Sequence, residues 1–188
     1  MKNKLITILS ALILSTFIVS CSNSTSPGTK VKEPLSGSKY QSNSKYWRAV
    51  GQGSSSMQTT AKSKAILNAK KELAGSIKTR MKVVSDLYLA ETSNGEDSDL
   101  ADKFQSLTRE VVNQDIAELR EIGNESYKTD DGKYVTYIAY EIKKREMWKF
   151  FKKELKLQKK YDAQTIKMME AMIDGEVKKL EALENEEN

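Results

Sequence analysis

Apolar positions repeat with different periods along this chain, and each change of period marks an element. Leu5 to Val19 is one nearly continuous apolar run, with Lys2 and Lys4 in front of it. From Ser22 to Lys45 nothing repeats at helix or strand spacing. Ser, Asn, Gly and Lys dominate there, and both prolines, Pro27 and Pro34, lie in it. Such a stretch predicts a disordered tether. Alternation begins with Trp47, Ala49 and Gly51, which reads as a short strand. Ala61, Ala65, Ala69, Leu73, Ile77, Met81, Val84 and Tyr88 then recur at helical steps, while Lys62, Lys64, Lys70, Lys71, Lys78 and Lys82 fall mostly off that stripe. This predicts an amphipathic helix, and its alanines predict close approach to a sheet or a second helix.

The punctuation between these runs fills in the rest. Gly51-Gln52-Gly53 predicts a tight turn, and Ser55-Ser56-Met57-Gln58 fits a capping box at the helix start. Asn94 to Asp97 breaks the pattern, after which Asp97 or Ser98 caps a second helix with Leu100, Phe104, Leu107 and Val111 on one side. From about Asp115 the period shifts toward two, with Ile116, Leu119, Ile122 and Tyr127 as positions for burial. Thr129-Asp130-Asp131-Gly132-Lys133 is a turn signature, and Tyr134, Thr136, Ile138, Tyr140 and Ile142 alternate after it. The two strands flanking Gly132 form a β-hairpin. Beyond Lys144 the helical period returns, first with Trp148, Phe151 and Leu155. Ile166, Met169, Ile173, Val177, Leu180 and Leu183 then make a seam close to a heptad, weakened by Gly175 and Glu176.

The expected class is α+β: a small antiparallel sheet with a long amphipathic helix packed on one face, plus a long C-terminal helix. Residues 1–20 read as a signal peptide and 21–45 as an acylated, disordered tether. The α+β domain then spans 46–142, and a long amphipathic helix spans 143–188.

The end of the first apolar run changes the picture most. The run is too short to span a bilayer comfortably, since a spanning helix needs about 20 apolar residues. A basic start, an apolar middle and small residues at the end make a secretory signal. Ile18-Val19-Ser20-Cys21 closes it, and Cys21 is the single cysteine of the chain. The tetrad resembles the bacterial lipoprotein box, which implies cleavage before Cys21 and lipidation of its thiol and new amino terminus. One acyl chain binds a membrane marginally, whereas two or three anchor stably. Ser22 follows, with no acidic residue at that position. In a double-membrane bacterium this resembles a lipoprotein bound for the outer membrane, where it would face the periplasm.

Composition narrows the chemistry. The net charge is +5, of which Lys2 and Lys4 supply two. So mild an excess does not predict nucleic-acid binding. The chain has no histidine, which removes the commonest general base and metal ligand. With Cys21 used as anchor, no disulfide is available, and the core must hold the fold.

From Trp47 to Ile142 the chain resembles the LPP-twenty lipoprotein family. The matching features are Ala49-Val50-Gly51-Gln52-Gly53, then Ala61, Ala65, Ala69 and Leu73, then the hairpin from Asp131 to Tyr140. The resemblance implies a small α+β domain in a bacterial envelope lipoprotein, with no catalytic residues to carry over. Some members associate with flagellar disk or ring structures at the outer membrane. The C-terminal helix lies outside the family pattern.

Gly51 to Ser56 lacks the third glycine of a dinucleotide fingerprint and the Gly-Lys-Ser/Thr ending of a phosphate loop. Asp130-Asp131 and Asp97/Asp99 do not match a calcium loop and read as turn residues. Lys143 to Lys160 is rich in Lys and Arg against Glu146 and Glu154, with Trp148, Phe150 and Phe151 interleaved. Such a helix can lie on an anionic membrane or an acidic partner. The simpler reading has the aromatics covering the sheet and the lysines solvated. The expectation is a lipid-anchored, non-catalytic envelope protein with no cofactor and no metal. It would bind or build an assembly, with a protein partner or a second copy meeting the C-terminal helix. The alternative is a periplasmic hydrolase using a Ser-Lys pair or paired carboxylates.

Overall fold

The computed structural model describes residues 28–29, 31–92, 98–113 and 119–186. The compact unit begins at Glu33. Its elements are β1 (Tyr46–Ser55), α1 (Gln58–Thr92), α2 (Ser98–Asn113), β2 (Arg120–Lys128), β3 (Tyr134–Lys143), α3 (Lys144–Leu157) and α4 (Ala163–Glu186). The three strands form one antiparallel sheet in the order β1-β3-β2. The fold is α+β, with α1 packed on the sheet.

One face of the sheet is built to admit a helix at very short range. Trp47, Ala49, Gly51 and Gly53 of β1 point to it, opposite Ile142, Tyr140, Ile138 and Thr136 of β3. A Cβ on Gly51 would lie 2.1 Å from the Ala69 amide nitrogen and 2.2 Å from the Ala65 carbonyl oxygen. On Gly53 it would lie 2.1 Å from the Ala61 carbonyl oxygen. Ala61, Ala65 and Ala69 are fully buried. Strand glycines and helix alanines therefore share one steric requirement, and neither row tolerates a larger side chain. The tight turn expected at Gly51-Gln52-Gly53 is overturned: both glycines sit inside β1, where the helix backbone passes over them. The chain turns a few residues later. There the Ser55 hydroxyl accepts the Met57 amide at 3.3 Å, and α1 opens at Gln58.

Helix α1 is about 52 Å long at 1.5 Å per residue, whereas a strand of β1's length spans only about 33 Å. It runs back over β1 and overshoots. Leu73, Ile77, Met81 and Val84 then share one apolar core with Leu100, Phe104, Leu107 and Val111 of α2. Met147, Trp148, Phe151 and Leu155 of α3 and Met169, Met172 and Ile173 of α4 complete that core. The positions expected on the α1 and α2 stripes are buried, with Tyr88 only partly so.

The hairpin expected at Gly132 forms between β2 and β3. Gly132 has φ +79°, and its amide donates to the Thr129 carbonyl at 2.9 Å. Strand β2 departs from expectation: it is polar, Ile122 is half-buried and Tyr127 is 47% exposed. It forms a charged outer strand carrying a bulge between Glu121 and Gly123.

Two further expectations are corrected. Residues 143–188 do not form one helix: the chain breaks between Leu157 and Ala163 and returns as α4. Asp162 makes the break by accepting the Thr165 amide at 2.9 Å and the Thr165 hydroxyl at 2.6 Å. Those bonds hold its carboxyl down at about 2, and they cap α4. The resulting pair belongs to the same core as α1 and is no appendage. Of the stretch 21–45, expected to be disordered, residues from Glu33 on belong to the folded unit. Leu35 is buried, and a Cβ on Gly123 would lie 2.7 Å from the Tyr40 ring and 3.0 Å from a Leu35 methyl group. A short 3-10 turn, Ser38–Tyr40, precedes Ser42, whose hydroxyl bonds both the amide and the carbonyl of Arg48 on the outer edge of β1. Asn68 and Lys64 donate to the Gln52 and Ser54 carbonyls on that strand. Side chains thus cover an edge that would otherwise invite another strand.

Candidate functional site

Cys21, the leader 1–20, the capping position Asp97 and Ile116 lie outside the described residues. Among the described residues, the features with binding potential include the basic helix α3, the open face of the sheet and the groove between α1 and α2.

Three of the six cations of α3 are answered by α4. Arg145 meets Glu184 at 2.7 Å, Lys152 meets Asp174 at 2.7 Å and Lys156 meets Glu170 at 3.7 Å. Just before α3, Lys143 meets Glu184 at 3.1 Å, and just after it Lys160 pairs with Glu110 of α2. As numbers rise along α3 they fall along α4, the register of an antiparallel helix pair. Glu184 is held below the usual carboxylate range by its Lys143 hydrogen bond first. Lys144 turns inward over the Trp47 ring at 5.6 Å. Burial pushes its ammonium pKa down, and the nearby Arg80 charge adds to this. Glu176, read from sequence as a flaw in a seam, is buried and takes Arg80 of α1 at 2.6 Å. It ties α4 to α1.

On the open face, Arg48 and Glu141 stand opposite each other across β1 and β3, and Arg120 of β2 stands on the other side of Glu141. Arg48 Nε donates to Glu141 Oε2 at 2.7 Å and Arg120 Nε to Oε1 at 2.9 Å. Burial works to raise the Glu141 carboxyl, and the two arginines outweigh it, so the net shift is downward. Beside this row, Leu35, Tyr40, Gln41, Val50, Gln52 and Tyr137 line a cleft of about 360 Å³ between the N-terminal segment and the sheet. A second groove, of about 350 Å³, lies between α1 and α2, lined by Lys78, Thr79, Lys82, Gln105, Thr108 and Arg109.

The carboxylates and serines weighed for other chemistry are placed as follows. Asp131 accepts from Lys133 at 2.6 Å within the hairpin turn, and this bond, with one from Thr129, holds it at about 2. Asp99 pairs with Lys103 one helical turn on. Lys64 reaches the Ser54 carbonyl, and the Ser85 hydroxyl donates to the Lys82 carbonyl. Among the described residues no three His, Cys, Asp or Glu side chains are grouped to hold a metal, and no helix is long and apolar enough to cross a membrane.

The chain matches no protein-family model, and no curated protein and no solved structure matches it.

Proposed function

We propose that this is a lipid-anchored bacterial cell-envelope lipoprotein with a non-catalytic structural or binding role. Ile18-Val19-Ser20-Cys21 behind a short apolar run carries that reading. Its setting is the outer membrane facing the periplasm, in an outer-membrane or flagellum-associated assembly. The resemblance to the LPP-twenty family supports that setting, and the α+β fold agrees with it. A stretch of 12 residues, 22–33, separates Cys21 from Pro34. A protein partner, or a second copy, would meet the α3–α4 pair, where Leu157 and Leu183 are exposed at opposite ends.

The reading is tested by replacing the anchor. Cys21→Ser should move the protein from the membrane fraction to the soluble fraction or leave it as an uncut precursor, and should abolish incorporation of labelled palmitate. A variant that still fractionates and labels as the parent does would contradict it.

A further inference from the structure

We infer that the groove between α1 and α2 is an anion site that takes a phosphate group. Three cationic residues line it: Lys78 and Lys82 from α1, one helical turn apart, and Arg109 from α2 across the groove. The Gln105 side chain lies beside Arg109. The Thr79 and Thr108 hydroxyls donate to their own helix at the Gly75 and Phe104 carbonyls, so the cations and Gln105 supply the donors.

What separates this place from the rest of the basic surface is how little opposes it. Around α3 the acids of α4 approach the cations closely. In the groove, Lys78 has, among the described residues, the Asn113 amide oxygen at a long 3.5 Å. Lys82 bonds Asp86 on its own helix, with both side chains more than half exposed. An exposed pair of that kind is weak and readily gives up its cation to a stronger acceptor. Arg109 forms no ion pair among the described residues, and a guanidinium suits a phosphate's paired oxygens. A volume of about 350 Å³ admits one or two phosphate groups with their water. A tethered domain meets phosphate of two origins, the headgroup of an anionic lipid and a free phosphate ester. The groove chemistry is common to both.

The experiment titrates the purified protein with pyrophosphate and, separately, with dihexanoyl phosphatidylglycerol below its micelle concentration. Binding is followed by calorimetry and by amide NMR shifts. Three proteins are compared: the parent, Lys78→Gln/Arg109→Gln, and Lys153→Gln/Lys159→Gln, which removes the same charge from exposed positions outside the groove. Saturable binding is expected, with shifts at Lys78, Lys82, Gln105 and Arg109. The groove variant should bind at least about tenfold more weakly, the loss expected from one charged hydrogen bond. The control variant should match the parent. Tighter binding of the lipid identifies a headgroup, and tighter binding of pyrophosphate a free phosphate. Equal weakening in both variants, or no saturable binding of either ligand, overturns the site. Neither result bears on the Cys21 anchor.

Discussion

Lysines crowd two helices of this protein, α1 and α3, and the fold treats them differently. Along α3, Lys152 and Lys156 face Asp174 and Glu170, because the turn at Asp162 brings an acidic helix back at matching register. Along α1, Arg80 finds Glu176, whereas Lys78 and Lys82 line a groove whose opposite wall carries Arg109. What holds each helix also differs. Helix α1 is seated by shape, alanine on glycine. Helix α3 is seated by large apolar side chains, with its charges paired above them. A basic run therefore acquires meaning only when the element opposite it is known.

Substitutions sharpen the contrast, from the largest effect down. Phe151→Ala empties a fully buried aromatic site and should cost about 4 kcal/mol in chemical denaturation, because a cavity adds to the lost burial. Gly51→Ala adds one methyl group where the helix backbone leaves no space. It should cost about 3 kcal/mol, although alanine is otherwise mild in a strand. If α1 moved aside at little cost, the shape argument would fail. Glu141→Gln leaves Arg48, 13% exposed, without its charged partner, and should cost about 2–3 kcal/mol.

Glu141 also carries a pH signature. Its folded value lies below the ordinary 4.5, so its stabilisation is complete above pH 4.5 and is lost as pH falls through the lowered value. Acid titration of the parent against Glu141→Gln should show the two stabilities converging in that range. Gly75→Ala meets nothing within 4 Å and should stabilise α1 by about 0.5–1 kcal/mol, read as a raised denaturation midpoint. Lys152→Gln should change stability by less than about 0.5 kcal/mol, since both members of its pair are partly exposed. A large loss there would mean that charge, and not burial, holds the α3–α4 pair.

The stripe of α1 and the hairpin at Gly132 were legible in the sequence, because each is a local pattern whose partner lies on the same or the next element. Gly51 and Gly53 misled because glycine serves both turns and close approaches. The choice between them is made by Ala61, Ala65 and Ala69, which look like ordinary helix formers until the crossing is seen. Leu35 and Tyr40 sit in a polar stretch, and the residue that makes room for them, Gly123, is more than 80 positions away. The break before α4 has a local signal: Asp162 stands three residues ahead of Thr165, a helix-capping spacing. Once that cap is placed, the acids of α4 fall opposite the lysines of α3. The α1–α2 groove could not be read at all, since its cations come from separate helices whose rotation is set by Leu73, Ile77, Phe104 and Leu107.

The account rests on Cys21, and intact-mass measurement of the protein purified from its native membranes tests it most directly. The predicted product begins at Cys21 and carries a diacylglycerol on sulfur, with or without a further acyl chain on nitrogen. A mass corresponding to the full 188 residues, or to a chain with a free thiol, would contradict it.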